Sequence, residues 1–171
     1  IAQISKLDFL NEERIKLADF MAKEINKIDG LRHVKYDYVK HVYYAFVFSF
    51  DEVKIGISRN VFCEALAAEG IPCSGGYVKP LYLNPLYLEK RAFAYRHYLG
   101  NVKYEKGICP ISEILHEKEL VLLDICRYPA TLKDMQDIVA AIQKIIENKE
   151  ELIKKSNWWY MILKEMNSYI I

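Results

Sequence analysis

Two apolar stretches, VYYAFVFSF (42–50) and ELVLLDI (119–125), stand far apart in the chain, with helix-like and loop-like sequence between them. Both are rich in β-branched, aromatic and leucine residues, the composition of strands. Neither can bury its apolar side chains alone, so the two have to meet by long-range pairing in one small sheet, with helices to cover it. That is an α+β, two-layer α/β architecture. Apolar residues fall on both parities of 42–50, which predicts that both faces of this strand are covered.

The helices declare themselves by period and by caps. Ile4, Leu7, Leu10, Leu17, Phe20, Met21, Ile25 and Ile28 recur at helical spacing among Lys, Asp and Glu, predicting a long amphipathic helix over 4–28 that stops at Gly30. Leu31 to Lys40 reads as extended. Ser58 can cap a helix through RNVFCEALAAE, ended by Gly70. Pro110 suits the first turn of a helix through ISEILHE. Thr131 with Asp134 three residues on resembles a capping box, opening LKDMQDIVAAIQKIIEN. DEVKIG reads as a turn and then a short strand or loop, with Asp51 and Glu52 a plain turn. Ile71–Cys73 is a short extended piece that Pro72 confines to an edge. Residues 88–107 carry no clear pattern. The aromatic tail within 150–171, with Trp158 and Trp159, is a further helix or an interface.

Composition removes several classes of function. Net charge is +1 with both signs interleaved, so no basic face points to nucleic acid. The apolar runs are too short to span a bilayer, and the start becomes charged too soon for a secretion signal. The chain begins at Ile1 inside a helical pattern, which reads as a piece of a longer protein. Cys63, Cys73, Cys109 and Cys126 lack any C-x-x-C or zinc-finger spacing, so reduced thiols in a cytoplasmic protein are expected and no metal site.

Candidate chemistry concentrates in GIPCSGGYVKPLYLNPLY (70–87). Chain breakers crowd its first half, and Tyr77, Tyr82 and Tyr87 recur every five positions. No dinucleotide or P-loop glycine pattern is present. SGGY offers consecutive N–H groups for an anion nest, or simply a flexible turn, the commoner use of such a run. His33, His41, His97 and His116 form no recognised nucleophile pair, and His116 beside Glu113 and Glu117 reads as solvated or capping. A tyrosine joins a flat apolar ring to a hydroxyl, which suits stacking on a polyhydroxylated ring. Packing the loop onto the domain would use the same residues, and the residues alone leave both uses open.

The order of these fragments resembles the DegT/DnrJ/EryC1/StrS family of aminotransferases. GIPCSGGYVKPLYLNPLY is similar to the family's Gly-Ile helix end followed by His or Tyr and two spaced prolines. Its GY form is most similar to the branch that aminates keto-inositols. IAQISKLDFLNEERIKLADFMAKEINKIDGL, HVYYAFVFSF, CPISEILHEKELVLL and TLKDMQDIVAAIQKI look like further family segments, in family order. The resemblance covers roughly residues 1–147. The ending LLDICRYPAT and the long 88–107 insertion depart from its nucleotide-sugar members.

The resemblance implies a fold-type-I pyridoxal-phosphate enzyme that moves an amino group from glutamate or glutamine to a keto-sugar or keto-cyclitol. It implies that residues 1–149 are the small C-terminal domain of such an enzyme, beginning inside a long helix, with 150–171 added. No lysine here stands in the family's S-x-x-K context, so the catalytic lysine is expected elsewhere in the parent. The cofactor is then expected in the parent, not on this chain, which would be inactive alone. Carried over by position, the substrate-facing residues are Ser74, Gly75, Tyr77, Lys79, Tyr82 and Asn84, with Tyr77 foremost. A homodimer without nucleic-acid or membrane partners is expected. A non-catalytic interaction module and a cofactor-sharing sugar dehydratase are the alternatives.

Overall fold

A computed structural model describes residues 1–90, 95, 97, 98 and 100–154. Its centre is a four-stranded antiparallel sheet in the order β1-β2-β4-β3, from β1 (Leu31–Arg32), β2 (Phe46–Phe50), β3 (Cys73–Gly75) and β4 (Leu120–Leu123). The two strands read most clearly from sequence pair with each other, Phe46 opposite Leu123 and Phe48 opposite Val121. The 42–50 strand is shorter than expected, because Tyr43 takes a left-handed φ of 47° and ends the extended run before Phe46.

Alternation within the strands sets the core. Phe46, Phe48, Phe50, Val121 and Leu123 are all buried on one face. Onto that face pack α1 (Leu7–Ile25), α3 (Arg59–Ala68) and α6 (Leu132–Glu147). They contribute Leu17, Met21 and Ile25, then Phe62 and Leu66, then Met135 and Ile142, each essentially inaccessible. Each such side chain stabilises the fold by roughly 1.5–3 kcal/mol. The opposite face, carrying Val47, Ser49, Leu120 and Leu122, is only half-buried. The expectation that both faces are covered is therefore corrected: among the described residues, the core helices lie on one side only.

Helix ends follow local chemistry. Ser58 Oγ accepts from the Val61 amide, and Thr131 with Asp134 forms the reciprocal capping box. Pro85 opens the short helix α4 (Pro85–Leu88), and Pro110 occupies the first turn of α5 (Pro110–Ile114), which runs into a π turn at Leu115–Glu119. Two expectations change. α1 stops at Ile25, before Gly30, because the Asn26 amide pairs both ways with the backbone of His33, at 2.7 and 3.1 Å. DEVKIG forms a short helix α2 (Glu52–Ile55), because the Asp51 carboxylate accepts from the amides of Val53 and Lys54. The chain is helical again at 149–154. The expected tail with Trp158 and Trp159 lies outside the described residues from 155 on.

His33 is buried in this core, its ring stacked on Phe46 with centroids 4.8 Å apart. Its Nδ1 lies 2.7 Å from the Val47 carbonyl, which can only accept, so Nδ1 carries the proton; Nε2 is buried without a partner among the described residues. Burial is the main reason its pKa falls below the usual 6.5. The unfolded chain therefore binds the proton more readily than the folded one. The stability that neutral His33 contributes is complete above about pH 6.5 and is lost as pH falls toward the folded-state pKa. The urea midpoint should drop between pH 7.5 and pH 5.5, and His33→Leu should flatten that slope. An unchanged slope in the variant would contradict the buried neutral imidazole.

Candidate functional site

The helix-free face of the sheet is the floor of a groove of about 570 Å³. Val47, Leu120 and Leu122 form the floor, while Val39, Lys40, His41, Val42, Tyr43, Tyr44 and Ala45 form one wall. Tyr77 closes the other side. The groove is an apolar trough with phenol and imidazole tips at its rim, a surface suited to the face of a ring and its hydroxyls.

Its three tyrosines are placed by different devices. Tyr43 is held down: its ring is buried, it lies beside His41 at 4.8 Å, and its hydroxyl donates to Asp19 at 2.9 Å. Burial first, and then Asp19, push its pKa well above the usual phenol range. Asp19 also takes the Lys35 ammonium at 2.8 Å. These contacts hold the left-handed backbone at Tyr43, which costs of order 1–2 kcal/mol for a residue with a side chain. The next residue, Tyr44, is 80% exposed. Its phenol neighbours Tyr77 in the groove and is the main cause of the upward pKa shift of Tyr77.

Tyr77 is placed by β3 and a buried arginine. Arg59, the first residue of α3, is only 4% exposed. Its guanidinium donates to the carbonyls of His116 (2.8 Å), Glu117 (2.7 Å) and Leu120 (3.3 Å), and its backbone N–H donates to Glu52 at 2.9 Å. The clamp fixes the π turn where it enters β4. A Cβ on Gly75 would lie 2.7 Å from Arg59 Nε, so glycine is the residue that fits against it. Gly76 has a φ of +74° and gives its amide to the Leu120 carbonyl at 2.6 Å. The chain then turns at Gly76 and delivers Tyr77 to the groove.

The six residues expected to face substrate do not stay together. Ser74 and Gly75 lie in edge strand β3, two residues beyond the extended piece read from sequence. Ser74 is exposed, and its hydroxyl reaches the Gly76 carbonyl at 3.4 Å. Only Tyr77 lines the groove. Lys79 is exposed and outside that lining. Asn84 donates to the Leu81 carbonyl at 3.0 Å. Tyr82 donates to Glu113, a buried carboxylate that also accepts from the Gly107 amide at 2.7 Å. Those donors, Tyr82 first, lower the Glu113 pKa, while burial and the same carboxylate push Tyr82 up to about 12. Tyr87 packs edge-on against Tyr104 at 5.6 Å, so the three regularly spaced tyrosines divide between groove, tether and packing. Part of the 88–107 insertion, at 91–94, 96 and 99, lies outside the described residues.

Sequence reasoning missed Tyr44 and Arg59. Tyr44 was concealed inside an apparent strand. Arg59 carried a readable signal, since a cation at a helix N-terminus opposes the helix dipole and has to be held by other contacts. Of the two uses open to SGGY, the anion nest is disfavoured, because the Gly76 amide is spent on Leu120. A phosphate-bearing aldehyde cofactor such as pyridoxal phosphate needs a free lysine amine and an anion cradle. Lys40, which lines the groove, is paired with Glu12 at 2.6 Å. With the Gly76 amide also engaged, the groove residues do not fit that cofactor by themselves. A second cleft of about 850 Å³ follows the β1 edge, and among the charges lining it Lys54 pairs with Asp29 at 3.0 Å.

Comparison with known proteins gives a consistent picture. The profile of the DegT/DnrJ/EryC1/StrS aminotransferase family matches residues 1–143. Among solved structures, S. venezuelae DesV shares 19% identity over 86% of this chain and 34% of its own, with a TM-score of 0.67. An aminotransferase from Psychrobacter cryohalolentis shares 17% over 86% and 37%, with a TM-score of 0.68. DesI, solved in the presence of its TDP-sugar product, shares 16% over 90% and 36%, with a TM-score of 0.62. These likenesses are of fold, and the chain spans about a third of the length of each relative. No described helix is long and apolar enough to cross a membrane.

Proposed function

We propose, for a chain that belongs to the DegT/DnrJ/EryC1/StrS aminotransferase family, that it is the small domain of a pyridoxal-phosphate-dependent aminotransferase acting on a keto-sugar or keto-cyclitol. Residues 1–149 make up that domain. The observation that carries the reading is the groove on the helix-free sheet face, where Tyr77 and Tyr44 stand over an apolar floor. A polyhydroxylated ring can lie against such a floor while the two phenols hydrogen-bond its hydroxyls. DesI with its TDP-sugar product shows that a protein of this fold handles a sugar. The bare sheet face is then a seam against the remaining two-thirds of a protein of the relatives' length.

In this reading the lysine and phosphate cradle lie on that larger part, and the cofactor supplies the amino-transfer chemistry there. The present residues orient the acceptor ring and keep water from its apolar face. Lys79 and Ser74, exposed at the same edge, reach ring hydroxyls or an anionic substituent. Glutamate or glutamine is the donor, and the working unit is a homodimer.

Tyr77→Phe tests this reading in the longer protein. Removing one hydroxyl that, in this reading, faces the acceptor and not the amino donor should lower kcat/KM for the keto substrate about tenfold and leave the amino-donor half-reaction within about twofold. Equal loss in both half-reactions would contradict an acceptor-side role.

A further inference from the structure

Two of the four cysteines meet across the junction of α3 and β3. Cys63 lies in α3, Cys73 opens β3, and Gly70, Ile71 and Pro72 form the turn between them. The Cys73 thiol reaches the Cys63 carbonyl at 3.3 Å, and each thiol is the largest influence on the titration of the other. Both are reduced and half-buried. The other two cysteines are placed differently. Cys109 is exposed at the head of α5, and Cys126 is buried with its sulfur 3.8 Å from that of Met135.

We propose that Cys63 and Cys73 form a reversible dithiol–disulfide site that reacts with a low-molecular-weight disulfide of the glutathione class. The closeness of the two thiols sets the order of events. It lowers the pKa of Cys73 and is the largest cause of the rise at Cys63, so Cys73 is the attacking thiolate. The Cys73 sulfur attacks one sulfur of the small disulfide. That S–S bond breaks, and one small thiolate leaves and takes up a proton. Cys63 then gives up its proton and attacks the Cys73 sulfur of the mixed disulfide, releasing the second small thiol. Two protein thiols are oxidised to one disulfide, and the small disulfide is reduced to two thiols. The new bond fastens the start of β3 to α3. β3 leads through Gly75 and Gly76 to Tyr77, so oxidation tethers the strand that presents the groove tyrosine.

The test uses the 171-residue chain carrying Cys109→Ser, incubated with oxidised glutathione and followed by intact mass and a non-reducing peptide map. The expected result is a loss of two hydrogens and one linkage between Cys63 and Cys73, reversed by dithiothreitol. Adding Cys63→Ser should trap a glutathione adduct on Cys73. Adding Cys73→Ser instead should slow adduct formation at Cys63 about tenfold or more. A stable glutathione adduct on the intact pair, a linkage to Cys126, or thiols that stay reduced while the urea-unfolded chain reacts would each overturn the proposal.

Discussion

Gly76→Ala should cost at least about 2 kcal/mol of unfolding free energy and disrupt the groove even where the chain still folds. An L side chain at a left-handed φ costs of order 1–2 kcal/mol before any contact is counted. Gly76 sits at +74°, and an added Cβ would lie 2.5 Å from the His116 carbonyl oxygen and 2.8 Å from its Nδ1. The first neighbour is backbone, held in place by Arg59, so it cannot swing away as a flexible side chain would. Relief has to come from moving Gly76 off Leu120, which carries Tyr77 away from the sheet face. Urea unfolding measures the first effect, and the Tyr77 ring signals in NMR spectra report the second. A fully stable Gly76→Ala protein with unchanged Tyr77 signals would contradict this geometry.

Arg59→Met should cost more, about 2–4 kcal/mol. Methionine keeps much of the stem's apolar bulk, so the loss isolates the guanidinium. Three carbonyls lose a donor. Leu120 retains the Gly76 amide, and Glu117 is exposed enough for water to compensate in part. The His116 carbonyl bears most of the penalty, at about 1–3 kcal/mol for a buried acceptor left unpaired, with a smaller amount at Glu117. Arg59→Lys should recover only part of the loss, because one ammonium cannot span carbonyls that a planar fork reaches. Hydrogen exchange should rise first at β3 and at the π turn over Leu115–Glu119, while α1 and α6 keep their protection. Uniform loss of protection across the domain would assign Arg59 a global role and contradict a local clamp.

Much of this architecture is legible residue by residue. The caps at Ser58 and Thr131, Pro110 in a first turn and the pairing of 42–50 with 119–125 rest on local chemistry or on apolar runs with one place to go. The misread features depend on partners distant in sequence. α1 ends early because Asn26 finds His33, and the 42–50 strand is trimmed because Tyr43 finds Asp19. Apolar residues on both parities of that strand predicted two covered faces. They mark one face for the core and another for the groove, a difference that sequence periodicity does not carry. The tyrosine excess in 70–87 resolves unevenly: Tyr77 faces the groove, whereas the Tyr82 hydroxyl serves Glu113 and Tyr87 packs on Tyr104.

The domain assignment makes one requirement that needs no substrate. A longer protein carrying this chain is loaded with pyridoxal phosphate, reduced with borohydride, digested, and its labelled lysine mapped. The predicted result is one stoichiometric label on a lysine outside residues 1–171. A stoichiometric label on any lysine within them, with Lys40 beside the groove the first to inspect, would contradict the account.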